Sequence, residues 1–244
     1  MNDAARNLNL LPRALGRLGN LGVSGVRALP DIDAAETAAR LRSRVSAPDR
    51  FDFALMGKLA PGLRVSVERI ENAGYLLDYG DEAEIVLRAT DGHRRQRFTF
   101  GHELGHWLSA TSHDGRASVE VESWCDRFAA HLLVPPSAVQ WSSHSTLHER
   151  LISVVEAPAR FDVSVPTAFR QVSEVNRATL LHVSPERRPG VFGRSSVSAA
   201  LVRELVAATA REPGPVLVSS TTQRAVGVRL RGSREVVAVI EKRS

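Results

Sequence analysis

Apolar and polar residues alternate along this chain with two different periods. In DAAETAARLRSRV, Asp33 to Val45, alanines and leucine recur at helical spacing behind an aspartate able to cap the first turn, and SAPD at 46–49 ends the run. Three short β-leaning runs follow, GLRVSVERI, AGYLLDYG and EAEIVLRA, separated by turn signals at Glu71-Asn72 and Gly80-Asp81. They predict an antiparallel meander over about residues 63–89. Helical spacing then dominates to about residue 177. Beyond it, ATLLHVS predicts a strand, SAALVRELVAATA a helix, and PVLVSS, AVGVRL and EVVAVIE three more strands. The expected class is α+β in four pieces: residues 1–50 as an N-terminal tail with a short helix, 51–146 as the main core, 147–177 as a helix-turn-helix-like segment, and 178–244 as a small α/β domain.

Composition narrows the class. A chain of 244 residues with 43% hydrophobic content can bury a substantial core. The one cysteine, Cys125, excludes an internal disulfide and predicts a reducing cytoplasm. No apolar run approaches the roughly 18 residues of a membrane span. The first thirty residues lack the apolar core of a secretory signal; they are rich in Arg and poor in acids like a transit peptide, but read as a frayed amphipathic tail.

Charge is uneven: net +3 over residues 1–50, −4 over 51–177 and +6 over 178–244. Arg187, Arg188, Arg194, Arg224, Arg229, Arg231 and Arg234 are therefore candidates for a phosphate-contacting surface, with a solvated arginine-rich surface as the simpler reading.

The stretch RFTFGHELGHWLS, Arg97 to Ser109, changes the picture. On a helix, His102 and His106 project from one face and can grip one ion, while Glu103 sits about a hundred degrees around, able to reach a water without being a ligand. A catalytic zinc ordinarily takes three protein ligands, so a further donor is required. VEVESWCDRFAAHLLVPP, Val119 to Pro136, has helical apolar spacing and supplies Glu122, with Asp126 one turn on. Glu122 is read as the third ligand and Asp126 as the acceptor that orients a ligating imidazole. Glu120 is the competing carboxylate and points elsewhere. Cys125 reads as a buried small hydrophobe turned away from Glu122 and Asp126; Phe98, Phe100 and Phe128 read as core, and Trp107 and Trp124 as packing between the two helices. His144 and His148 share the four-residue spacing but lack a neighbouring carboxylate at the second position and read as surface.

RQRFTFGHELGH (Arg95 to His106) followed by ESWCDRFAAHLLVP (Glu122 to Pro135) resembles the ImmA/IrrE metallopeptidases, whose pattern runs R-x-R-F-T-x-A-H-E-x-x-H and then E-x-x-A-N-x-F-A-x-x-L-L-M-P. LHERLISVVEAPARFDVSVPTAFR, residues 147–170, continues the likeness, which spans about residues 60–176. The chain departs from the pattern at Gly101, Cys125, Asp126 and Val134, none of which removes a ligand.

The resemblance implies a zincin-like core with a His/His/Glu zinc site. It implies a metalloendopeptidase that cleaves a helix-turn-helix transcriptional repressor, releasing repression in a stress or DNA-damage response. His102, His106 and Glu122 bind the metal in that reading, and Glu103 moves the proton. Zn²⁺ is expected, with Mn²⁺ or Fe²⁺ compatible with the same donors. His113, His131, Tyr75 and Tyr79 are candidates for a further oxyanion donor, and an edge strand of the small sheet could hold the substrate by main-chain pairing. The alternative is a DNA-binding or regulatory module built on residues 147–177 and the basic C-terminal segment, with a structural or vestigial metal site.

Overall fold

In a computed structural model of the chain, residues 33–45, 51, 62–79, 82–109, 119–186, 188–193 and 195–242 are described. The N-terminal tail, the SAPD stretch, His113, Arg187 and Arg194 lie outside them. The fold is mixed α+β, with seven helices and two small sheets among the described residues and no barrel. No described helix is long and apolar enough to cross a membrane. The chain forms two compact units: residues 1–135 with 161–164, and residues 136–160 with 165–244.

The first unit begins with helix α1 (Ala34–Val45). The Asp33 carboxylate accepts hydrogen bonds from the backbone N–H groups of Ala35 at 2.6 Å and Glu36 at 3.1 Å, satisfying two of the donors that a helix start leaves open. A three-stranded sheet follows, made of β1 (Leu63–Glu68), β2 (Gly74–Asp78) and β3 (Ala83–Arg88). Its order is β1-β3-β2, and β1 runs parallel to β3, with Leu63 paired to Ala83 and Val65 to Ile85. The expected antiparallel meander is thus wrong in one pairing. Only the β2–β3 hairpin is antiparallel, Leu76 facing Ile85. The reason lies in β3, whose Ile85, Val86 and Leu87 are all buried, so that both its faces are covered and it takes the centre. In β1, by contrast, Val65 and Val67 are exposed, as suits an edge.

After a turn in which the Arg88 guanidinium donates to Asp91, helix α2 (His93–Ser109) packs on β2 and β3 through a row that includes the buried Phe100, Leu104 and Leu108. Gly74 of β2 allows this contact, because a Cβ there would stand 2.5 Å from the Thr99 methyl. Helix α3 (Val119–Leu133) packs against both α2 and α1. Trp124 and Phe128 are fully buried and stacked with centroids 5.3 Å apart, and each contributes on the order of 2–3 kcal/mol through burial. The Arg42 guanidinium of α1 donates to the Leu132 carbonyl at 2.6 Å, tying α1 to the end of α3.

Where α2 and α3 meet, both present small residues one turn apart. A Cβ added to Gly101 would lie 3.1 Å from the Ala129 Cβ, and one added to Gly105 would lie 3.1 Å from the Cys125 Sγ and 3.2 Å from its Cα. Each glycine costs roughly 1 kcal/mol of helix propensity against alanine. That cost is set against a backbone approach tight enough that a Cβ at either position would require Ala129 or Cys125 to give by a few tenths of an ångström.

Residues 161–164 complete this unit, with Phe161 and Val163 buried on either side of Asp162. Asp162 has φ 51°, a left-handed conformation that Asp tolerates better than most residues. Its carboxylate accepts from Arg94 Nε at 3.1 Å, and lies 3.2 Å from His93 Nε2 and 3.6 Å from Arg97. Partial burial acts to raise its pKa, but the Arg94 hydrogen bond and the charges of Arg97, His93 and Arg94 outweigh it and hold the carboxyl below its usual value.

The second unit contains the short helix α4 (Pro136–Val139), α5 (Leu147–Arg160), α6 (Val165–Asn176), β4 (Thr179–Val183), β5 (Gly190–Phe192), α7 (Ala199–Arg211), β6 (Val216–Ser219), β7 (Gln223–Arg229) and β8 (Val236–Lys242). The strands form one antiparallel sheet in the order β5-β4-β8-β7-β6. β8 is buried from Val236 to Ile240, because α7 packs on β6 and β7 while α5 packs on β7 and β8. Gly227 leaves the space that Leu205 of α7 fills. The predicted strands and helix of residues 178–244 are present, and β5 is an addition that its three residues did not announce. The helices of the segment 147–177 pack on this same sheet, α5 on β8 and α6 on β4. Thr146 and Glu149 cap α5 reciprocally: the Thr146 N–H donates to the Glu149 carboxylate at 2.7 Å, and the Glu149 N–H donates to Thr146 Oγ1 at 3.2 Å.

Two outcomes follow for stability. Asp162 has a folded-state pKa lowered beneath its unfolded value, so its contribution is full above about pH 4 and fades as pH falls through the folded-state value. Asp162→Asn is therefore expected to lower the thermal midpoint at neutral pH and to bring the variant and wild-type curves together in acid; parallel curves down to about pH 2 contradict this. Gly105→Val, at a contact already without slack, should cost about 1–3 kcal/mol in denaturant unfolding, whereas Gly92→Ala, with open space around its Cβ position, should cost well under 1 kcal/mol.

Candidate metal centre

Helix α2 carries His102, Glu103 and His106, and α3 carries Glu122 and Asp126. The four-residue spacing puts the two histidines on one face of α2, and their row lies about a hundred degrees from the row of Gly101 and Gly105. On α3, Glu122, Cys125, Asp126 and Ala129 share one face at spacings of three and four residues. The glycine contacts that press α2 against Cys125 and Ala129 consequently deliver Glu122 to the histidines.

The resulting geometry is tight. His102 Nε2 lies 3.2 Å from one Glu122 carboxylate oxygen, His106 Nε2 lies 3.3 Å from the other, and the two Nε2 atoms are 3.1 Å apart. These three residues form the one group among the described residues able to offer three ligand atoms to a single ion, all within 4.8 Å of one another. Tetrahedral ligation at about 2.0–2.1 Å from the metal places neighbouring donors about 3.3 Å apart, so the spacing fits a divalent ion without rearrangement. The donor chemistry fits as well, two imidazoles and a carboxylate being suited to Zn²⁺.

Asp126 fixes the orientation of the first imidazole. His102 Nδ1 is 2.9 Å from Asp126 Oδ1, so the Nδ1–H tautomer donates to the carboxylate and leaves Nε2 with a lone pair for a ligand. Burial acts to lower the His102 pKa, but the Asp126 hydrogen bond and the negative charges of Glu103, Asp126 and Glu122 outweigh it, and the net shift is upward. A cation in this place is favoured by the same charges.

Exposure is graded across the group. His106 is fully buried, Glu103 is 3% exposed, and Glu122 keeps 41% of its side chain open, so the centre is closed from the protein side and open beyond Glu122. The other carboxylate weighed for the ligand role, Glu120, is exposed and outside the group.

Cys125 lies three residues after Glu122 on α3 and is wedged against Gly105, while Glu122 reaches the histidines. Burial, reinforced by Glu122, Glu103 and Asp126, pushes its thiol pKa up, so it packs as a small apolar group.

Of the oxyanion candidates within the described residues, His131 is outside the His102–His106–Glu122 group. His131 is buried nine residues beyond Glu122, about 13 Å along α3. Tyr79 is 64% exposed, and Tyr75 alternates with Gly74, the residue that faces α2. His144 and His148 are exposed on the second unit.

Arg224, near the start of β7, donates twice to one Glu241 oxygen at 2.7 and 3.0 Å, while Arg229 ends β7 about 17 Å further along and Arg231 and Arg234 follow in the β7–β8 turn. The signal that sequence reading missed is the glycine pair, Gly101 and Gly105, one turn apart beside the histidines. It marks the helix crossing that brings the ligands together.

None of the curated proteins matches this chain. Among solved structures, one titled "Mycobacterium tuberculosis transcriptional regulator" is similar at 13% identity, with 86% of this chain and 88% of that one covered and a TM-score of 0.49, too loose a likeness to carry an argument. Residues 60–171 match the family model Peptidase_M78, described as IrrE N-terminal-like domain. That match includes both metal-centre helices and gives this chain an IrrE N-terminal-like domain at residues 60–171.

Proposed function

We propose that this protein is a zinc-dependent endopeptidase with a zincin-like core, and that its substrate is a helix-turn-helix transcriptional repressor whose cleavage relieves repression under stress. The single observation that carries the enzymatic reading is the convergence of His102, His106 and Glu122 at donor distances of 3.1–3.3 Å, beside the buried Glu103. The substrate class is carried by the family likeness alone.

His102, His106 and Glu122 would hold the ion, and Asp126 would keep the His102 ring turned toward it. When bound, a divalent ion in such a site lowers the pKa of an attacking water and polarises the scissile carbonyl. Glu103 stands next to His102 on α2, in the 3%-exposed position from which its carboxylate takes the proton of the attacking water and returns it to the leaving amine. Keeping Glu103 out of bulk water strengthens this proton exchange, because competing solvent is excluded around its carboxylate. The open side beyond Glu122 is the approach left for a peptide.

The test is incubation of the purified full chain and zinc with the helix-turn-helix repressor encoded beside it, read by intact mass. Cleavage is expected with the wild type and is expected to fall at least a hundredfold in Glu103→Gln, while zinc affinity stays within about threefold. Chelation should abolish cleavage and zinc should restore it. A Glu103→Gln variant that cleaves as fast as wild type removes Glu103 from the chemistry. An unchanged biological output from that variant favours the DNA-binding or regulatory module instead.

A further inference from the structure

We propose that Asp162 is a positioning residue for the metal centre, acting through Arg97 and Arg94 to set α2 along its axis; the inference rests on the metal-site reading above.

The metal-centre histidines occupy positions 102 and 106 of a helix that begins at His93. That helix is held in three ways. The sheet supports its underside through Phe100, Leu104 and Leu108. At the crossing with α3, Gly101 and Gly105 lie against Ala129 and Cys125. A glycine allows close approach but offers no side chain to interlock, so these two positions add little resistance to sliding along the helix axis. The donor separations of 3.1–3.3 Å nevertheless leave no room for a slip of even half an ångström.

The third hold is directional. Asp162 engages His93, Arg94 and Arg97 at 3.2, 3.1 and 3.6 Å, one imidazole and two guanidinium groups spread over the first turn and a half of α2. The neighbouring Phe161 carbonyl accepts from Arg97 at 3.4 Å. His93 and Arg94 are 65% and 48% exposed and contribute little individually, whereas the Arg97 side chain is only 6% exposed and is the partner that matters. Arg97 lies five residues before His102, about 7.5 Å along the helix. Asp162 cannot drift, because Phe161 and Val163 anchor it on both sides in the core.

Its left-handed φ of 51° is a further sign of constraint. Asn occupies that backbone region as readily as Asp, so Asp162→Asn removes the charge without adding strain. The segment 161–164 is reached from α5 and leaves into α6, which makes it the stretch between two second-unit helices that belongs to the metal-bearing unit.

The experiment is a Co²⁺ titration of the purified full chain, wild type and Asp162→Asn, read by visible absorption and by competition with a chelating dye. The expected result is a roughly tenfold weaker Co²⁺ affinity for Asp162→Asn with a shifted d–d band, as for other groups that orient ligands indirectly. Arg94→Gln, which removes only the exposed partner, should shift affinity in the same direction by less, and it serves if Asp162→Asn does not fold. Arg64→Gln, which breaks the exposed Arg64–Glu82 pair on β1, should leave affinity and spectrum unchanged. Variants at 162 and 94 that bind Co²⁺ with wild-type affinity and spectrum, whatever their thermal midpoint, overturn the positioning role alone. A wild-type chain that binds no Co²⁺ or Zn²⁺ overturns the metal-site reading and this inference with it.

Discussion

The structure turns on the close approach of two helices at Gly101 and Gly105. A hydrogen in place of a side chain at these two positions lets α2 and α3 approach until a Cβ would stand 3.1–3.2 Å from atoms of Ala129 and Cys125. Every donor distance in the metal centre inherits that separation, because His102 and His106 follow the two glycines directly and Glu122 precedes Cys125 by less than one turn. Two small-residue rows thus perform for this site what a disulfide or a metal does in smaller folds: they fix the distance between elements far apart in sequence. The loss in helix propensity is the local penalty for that contact.

Charge completes what packing begins. Glu103, Glu122 and Asp126 gather three carboxylates around the two imidazoles His102 and His106. Such a concentration of negative charge is unfavourable by itself and becomes favourable around a cation. Burial foremost, with the same carboxylates, pushes the Cys125 thiol pKa up, in keeping with its packing against Gly105.

What could be read from the sequence was local. The His102/His106 pair, its Glu103 neighbour and the Glu122/Asp126 pair all rest on spacings of one to four residues within a helix, where geometry follows from sequence directly. Asp33 as a helix cap and the strands of the C-terminal sheet were legible for the same reason. The pairing of β1 with β3 was not, since a parallel neighbour is decided by which strand is most deeply covered, and that depends on helices packed later. The return of residues 161–164 to the first unit was equally hidden, because nothing in FDVS distinguishes an anchored turn from an ordinary one. Where Arg224 and Arg229 stand relative to each other follows from the strand they share, on which five residues span about 17 Å.

The account stands on three donors from two helices meeting at one ion. X-ray absorption at the zinc edge of the loaded full chain tests this most directly. The account predicts a light-atom shell of two imidazole nitrogens and carboxylate or solvent oxygens at about 2.0–2.1 Å, with imidazole multiple scattering and no sulfur. A sulfur shell at about 2.3 Å, or a spectrum of hydrated zinc without imidazole scattering, contradicts it.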